Sequence, residues 1–272
     1  MYKNKDLYKL YKKYNNDDRM SRRFPDVTKR STIEVINNAI NLCDKWDNFL
    51  DIGASTGHYS TALLHKFRKG TAIEANHNEH LLDLLRVYQN FSVKLGFIQE
   101  LDFDEKFDFI LMADIFEHIP LIDMPSLLEK VSKVQDVGGV LYILTPNPIY
   151  CGPASESSIF HNRGKSDHEG HYKHYDRIEI NKVMNKYKYE KIFDSYEEGK
   201  VKNFFKRYIF SISIRDKRYS RNPIYRVLSP LFIWIIKIFY YFVDVISYYF
   251  ERKNRYNDFC NISYVGVFKK CE

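Results

Sequence analysis

Two hydrophobic periodicities alternate along the chain. From Ile33 to Cys43 the apolar positions follow helical spacing and predict a helix. Asn48-Phe-Leu-Asp-Ile-Gly53 is a short apolar run that stops at a glycine, which predicts a buried strand followed by a turn. The exchange then repeats. Helices are predicted over Thr56 to Phe67, Glu79 to Tyr88 and Met124 to Val134. Strands are predicted over Thr71 to Glu74, Phe91 to Ile98, Phe107 to Ala113 and Gly138 to Thr145. Such alternation is the signature of βαβ units, hence an α/β fold with a parallel sheet and helices on both faces. After Thr145 the pattern changes. Residues 146–176 read as a polar loop, Ile178 to Tyr187 as a helix, and Glu190 to Ser195 as a strand. Residues 203–252 are aromatic and apolar with basic flanks, and Asn261 to Phe268 reads as a last strand.

Composition changes this picture little. The chain has 272 residues, 44% hydrophobic and 28% charged, which excludes disorder as a description of the whole. Its four cysteines (Cys43, Cys151, Cys260, Cys271) form no C-x-x-C pair, so neither a zinc ribbon nor a disulfide framework is expected, and a reducing cytosol suits them. The first residues lack an apolar core, so no signal peptide is expected.

Charge adds more. The net +7 is unevenly distributed: residues 1–30 carry ten Lys/Arg against four Asp/Glu, and residues 200–226 carry nine against one. Residues 31–199 are acidic, with 17 Lys/Arg against 26 Asp/Glu. An acidic middle between basic flanks points the flanks toward an anionic surface, membrane phosphate or nucleic acid.

The first strand delivers Asp51-Ile-Gly53-Ala-Ser-Thr-Gly57 into a helix. Open α/β sheets bind ligands beyond the carboxyl ends of their strands, and glycine there lets the backbone approach a ligand closely. Glu74 ends the second strand, where a carboxylate can accept hydrogen bonds from ribose hydroxyls. No Lys follows Gly57, so triphosphate binding is poorly supported. The G-x-x-x-G spacing is not the dinucleotide fingerprint, and Asp51 favours a ligand carrying an ammonium group over a pyrophosphate.

The fourth strand extends these signals: Phe107-Asp108 leads to Asp114, Glu117 and His118. With Leu50-Asp-Ile-Gly53 and Gly57, Glu74, Gly138-Gly139, Thr145-Pro-Asn147 and Gly170-His-Tyr-Lys-His-Tyr-Asp176, the chain resembles the class I S-adenosylmethionine-dependent methyltransferases, and within them the bacterial small-molecule and glycan-type branch. The resemblance covers roughly residues 30–200 and the final strand. It implies a Rossmann-like sheet of seven strands, six parallel and one antiparallel, with helices on both faces and a helical aromatic insertion before the last strand. It implies S-adenosyl-L-methionine as cofactor. Asp51, Gly53, Ala54, Ser55 and Gly57 would hold its methionine part, Glu74 with Ala75 its ribose, and Phe97 and Ile98 the adenine region. Ala113 and Asp114 would lie beside the sulfonium. Two positions depart from the family: Ser55 stands where a glycine is common, and Phe97 where an acid usually meets the adenine amino group, with Gln99 and Glu100 nearby.

For the transfer step, His118, His171 and Asp114 are the candidate bases, since an imidazole can accept a proton near neutral pH. His161, His168 and His174 read as surface or loop-packing residues. Glu117-His118 also reads as a plain helix start. Asp114-x-x-Glu117-His118 with His171 resembles the metal motif of small-RNA 2′-O-methyltransferases. Metal-free relatives carry the same string, and no metal is assigned.

Three segments are expected: a basic helical segment 1–30, a methyltransferase domain over 31–200 plus 258–270, and an amphipathic insertion 201–257. In the insertion, Lys237 and Asp244 share a helical face with Tyr248 and Glu251, whereas Leu231, Ile235, Ile238, Phe242, Val245 and Tyr249 lie elsewhere. The insertion suits an anionic membrane surface better than a span, with a lid or dimer surface as the alternative. The expected enzyme O-methylates a lipid-linked or cell-surface glycan precursor or other small molecule. Its expected place is cytoplasmic, peripheral at the inner membrane face. An RNA methyltransferase using the basic flanks, and a non-catalytic binding protein of the same fold, are the alternatives.

Overall fold

A computed structural model describes residues 30–151, 171–199 and 261–272, with positions 242, 245, 246, 248–250, 252–254 and 256. The expectations for segment 1–30, for His161 and His168, and for most of the insertion lie outside the described residues, apart from Arg30 and these insertion positions.

Seven strands form one sheet: β1 (Asn48–Ile52), β2 (Lys69–Glu74), β3 (Phe91–Leu95), β4 (Phe107–Ala113), β5 (Gln135–Pro146), β6 (Tyr189–Gly199) and β7 (Asn261–Lys270). Their order is β3-β2-β1-β4-β5-β7-β6. β7 runs antiparallel to both β5 and β6, and the other neighbours pair in parallel, giving six parallel strands and one antiparallel. Among the described residues, the helices that accompany it are α1 (Arg30–Ile40), α2 (His58–Leu64), α3 (Glu79–Val87), α4 (Met124–Val134) and α5 (Arg177–Lys186), with a four-residue helical turn at Pro148–Cys151.

Strand alternation divides the core into two. Leu50, Ile52, Ile110, Met112, Leu141 and Ile143 point to one face, where α4 and α5 cover them with Leu127, Val131, Ile180 and Met184. Phe49, Phe109, Leu111, Val140, Tyr142 and Leu144 point to the other, under Ile36, Ile40, Leu63 and Leu81 of α1, α2 and α3. Burial on both faces is why the central strands read as near-continuous apolar runs. Asp108 is the polar exception at the start of β4. Its Oδ2 accepts hydrogen bonds from the Asp47 and Asn48 N–H groups at 2.8 and 2.9 Å, tying the start of β1 to β4.

The strand order reverses between β1 and β4. Chain ends diverge at such a point and leave a crevice beyond the carboxyl ends of the strands. Two boundaries differ from expectation in ways that shape this edge. β3 stops at Leu95, because Gly96 turns the chain at φ 135°; Phe97 is therefore half-buried in the turn, and Ile98 opens a 3-10 turn with its side chain in the core. Glu117-His118 does not begin α4; it sits in a separate 3-10 turn, Phe116–His118, six residues before Met124.

Candidate functional site

The loop after β1 is built on left-handed backbone. Gly53 and Gly57 have φ 73° and 75°, and Ser55, between them, has φ 51°. The turn is tied to the neighbouring strand: the Gly53 and Ala54 N–H groups donate to the Ile73 carbonyl at 2.8 and 3.1 Å. A Cβ on Gly53 would fall 2.0 Å from Ile115 Cδ1, so the turn closes directly onto the segment after β4. Ser55 carries the left-handed strain of a residue with a side chain at positive φ.

Two buried carboxylates flank this turn. Asp51 accepts from Ser60 Oγ at 2.5 Å. Glu74 accepts from the Ser55 N–H at 2.7 Å and the Asn76 N–H at 3.3 Å. Burial pushes the Glu74 carboxyl above its ordinary value, while the N–H groups of Ser55, Asn76 and Ala75 push it down. A carboxylate pair of oxygens offers about four acceptor sites, so these bonds orient Glu74 and leave acceptor capacity for ligand hydroxyls. The Gly96 N–H bonds to the Glu74 carbonyl at 3.0 Å, which brings the Phe97 turn beside it. Asp51, Gly53, Ala54, Ser55, Gly57, Glu74, Ala75, Phe97 and Ile98 thus come from the adjacent ends of β1, β2 and β3. Ala113 and Asp114 join from β4, with Asp114 exposed at φ 55° and its N–H bonded to the Leu144 carbonyl.

Beyond β4 lies a second constellation. Ligand atoms of Glu117, His118 and His171 all lie within 4.8 Å of one another. Glu117 is 1% exposed and accepts from Thr145 Oγ1 at 3.0 Å. Its backbone carbonyl accepts the Tyr172 N–H at 2.7 Å, pinning the loop that carries His171 to the end of β4. The rings of His118 and His171 stand 4.7 Å apart, edge to face. His171 Nδ1 and His174 Nε2 are 2.8 Å apart, a hydrogen bond whose donor is set by the tautomers of the two rings. One carboxylate and two imidazoles could act as a proton-accepting group or hold a divalent ion.

The expectations fare unevenly in detail. His118 and His171, 53 positions apart, are brought together. Asp114, the third candidate base, is not part of their cluster and stands exposed at the strand end. His174, read as loop packing, holds His171. Ser60 and Asn76 are partners that the sequence reading did not single out, and Thr145 was read within a family motif but not as the partner of Glu117. Only their spacing near the motifs could have flagged them, because their role depends on contacts across strands.

The methyltransferase domain family matches residues 12–192 of the chain. The chain belongs to this family. Its sheet is the Rossmann-like sheet of the class I methyltransferases, and its methyl donor is S-adenosylmethionine. Solved structures with the same fold include an S-adenosylmethionine-dependent methyltransferase from Clostridium acetobutylicum (TM-score 0.54, 14% identity, covering 97% of this chain and 100% of that one). Another is the 1,6-didemethyltoxoflavin-N1-methyltransferase of Burkholderia thailandensis, solved with its substrate and S-adenosylhomocysteine (TM-score 0.56, 14% identity, 70% and 79% covered). The [4+2]-cyclase SpnF also shares the fold (TM-score 0.58, 12% identity, 88% and 81% covered), so fold alone does not fix the chemistry. A search of curated proteins finds no match to the chain. In this methyltransferase the glycine turn, Glu74 and the Phe97 turn are the elements that fit the donor. The Glu117–His118–His171 group lies beyond the end of β4.

Proposed function

We propose that this methyltransferase methylates an oxygen of a hydroxylated acceptor, a lipid-linked or cell-surface glycan precursor or another small molecule, at the cytoplasmic face of the membrane. The observation that carries the oxygen assignment is the pairing of His118 and His171 around the buried Glu117. A poorly acidic hydroxyl needs a base in the transition state, and a base contributes about 10²–10⁴-fold. Either imidazole can take the hydroxyl proton, and Glu117 stands where it stabilises the imidazolium that forms. His174 fixes the orientation of the His171 ring.

The rest of the site supplies alignment. Methyl transfer runs in line from sulfonium to nucleophile, and holding the two partners in that geometry is worth about 7–11 kcal/mol. Asp51 offers its charge to the donor's ammonium group, and Glu74 holds the ribose hydroxyls. Both are fixed beforehand by hydrogen bonds from Ser60, Ser55 and Asn76.

The test has two stages. Calorimetric titration with S-adenosylhomocysteine should show micromolar binding, weakened tenfold or more by Glu74→Ala. Methyl transfer from labelled donor to membrane extracts should then fall by about 10²-fold or more in His118→Ala or His171→Ala, with donor binding retained. Full transfer by both histidine variants would remove the base assignment. Transfer to an amine product would remove the oxygen assignment.

A further inference from the structure

We infer that Glu117, His118 and His171 form a binding site for one divalent transition ion of the zinc class. The inference deepens the proposed acceptor chemistry, on which it rests for its purpose though not for its test. The ligand atoms of the three side chains all lie within 4.8 Å of one another. Donors about 2.0–2.2 Å from a shared ion stand about 3–3.5 Å apart, so small side-chain rotations close the set. Glu117 and His171 are buried, and His118 is half-buried. A carboxylate taken out of water needs a paired charge or an ion beside it. Lys173, in the same loop as His171, is committed to Glu179 at 2.7 Å. Asp114, the first acid of the string that leads to His118, lies outside the cluster, so the donor set is one carboxylate and two imidazoles.

The three donors are braced from behind. His171 Nδ1 is hydrogen-bonded with His174 Nε2 at 2.8 Å, so Nε2 is the nitrogen that His171 can offer an ion. A partner on the second ring nitrogen fixes the tautomer and orientation of a ligating imidazole. Glu117 Oε2 accepts from the buried Thr145 Oγ1 at 3.0 Å, which orients the carboxylate from β5. The Glu117 carbonyl accepts the Tyr172 N–H at 2.7 Å, so the backbone next to His171 is docked on the acid's own backbone. Each ligand atom is thus held by groups behind it, which spares an ion much of the ordering cost of gathering them.

The donor set selects the ion. Imidazoles with a carboxylate suit zinc and its first-row neighbours, whereas magnesium and calcium take oxygen donors. Three protein ligands leave coordination positions open, as in catalytic rather than structural zinc sites. An acceptor oxygen can take such a position, and an ion there lowers the pKa of an oxygen ligand. With the ion held, the two imidazoles are its ligands, and the ion takes over their effect on the hydroxyl.

The experiment is calorimetric titration of the untagged, chelator-stripped full chain with zinc, together with visible absorption of the chain loaded with cobalt(II). One equivalent of zinc is expected to bind with micromolar or tighter affinity. His118→Ala, His171→Ala and Glu117→Gln should each weaken it tenfold or more, and His174→Phe about tenfold through loss of the ring partner. Asp114→Asn should bind zinc as the wild type does. Cobalt should give visible ligand-field bands with no sulfur charge-transfer band. A cooperative thermal unfolding transition, kept in the variants, reports that they fold. The inference is overturned if the stripped wild type takes up no equivalent of zinc, or if both histidine variants, still folded, bind zinc as tightly as the wild type. It is equally overturned if cobalt shows thiolate coordination. Methyl transfer that depends on the histidines in a chain that binds no zinc would leave the imidazoles as bases, and a chain that binds zinc but not S-adenosylhomocysteine would fail the donor site while this site stands.

Discussion

Glu74 is a buried carboxyl whose surroundings oppose its charge. Burial raises its pKa, and three backbone N–H groups offset part of that cost. Ribose binding needs the ionised acceptor, so donor binding should weaken as pH falls through the raised value. The loss should therefore come at a higher pH than an ordinary carboxylate would give, and calorimetry from neutral to mildly acidic pH checks it. Glu74→Gln should bind more weakly at neutral pH and lose this pH dependence. Cys43 is a second residue set by burial. Desolvation, with the nearby Asp108 charge, pushes its thiol up to about 12. The thiolate is the reactive form, so Cys43 should resist alkylation in the native protein while exposed Cys271 reacts. Mass spectrometry before and after denaturation reads the difference. Gly53 is legible from sequence as a turn glycine. That its replacement would strike Ile115 is not, because Ile115 arrives from another strand.

At the scale of elements, the helices and strands follow local rules closely enough that most were expected. α5 illustrates it. Asp176 accepts the Glu179 N–H at 2.8 Å, and the Glu179 side chain returns to the Asp176 N–H at 3.1 Å. This capping box satisfies two donors that the first turn otherwise leaves open. Asp176→Ala should cost about 1 kcal/mol, measured by urea denaturation. It should also loosen the loop that carries His171, raising the acceptor KM more than it weakens donor binding. The elements that deviated do so for tertiary reasons. β6 runs longer than its apolar stretch because β7 pairs with it from Tyr189 to Gly199, and β5 begins earlier because Gln135 pairs with Phe107 of β4. The 3-10 turn at Phe116–His118 stays separate from α4 because Glu117 is drawn inward to Thr145 and its carbonyl to Tyr172.

For the whole molecule, the sheet stands on links between distant segments. Asp108 joins β4 to the entry of β1, and a charged acceptor serving two N–H groups is worth about 1.5–3 kcal/mol per bond. Asp108→Ala should lower stability by about 3 kcal/mol or more and leave S-adenosylhomocysteine affinity unchanged once folded, because the link lies at the edge opposite the site. Thermal unfolding with and without ligand checks both. What the chain determined by itself was local: the strand and helix periodicities, the glycine turn, the acid closing the second strand, and through these motifs the cofactor class. Such features need only neighbours in sequence, and backbone geometry enforces them residue by residue. What only the tertiary structure decided was which distant side chains meet. His118 joins His171 while Asp114 stays outside, His174 becomes a partner, and Tyr248 bonds Glu34 across 214 positions. Those outcomes depend on strand order and on where Tyr172 docks, its N–H on the Glu117 carbonyl. No local periodicity encodes those contacts; the burial of the two cores and the hydrogen bonds of Glu117 select them.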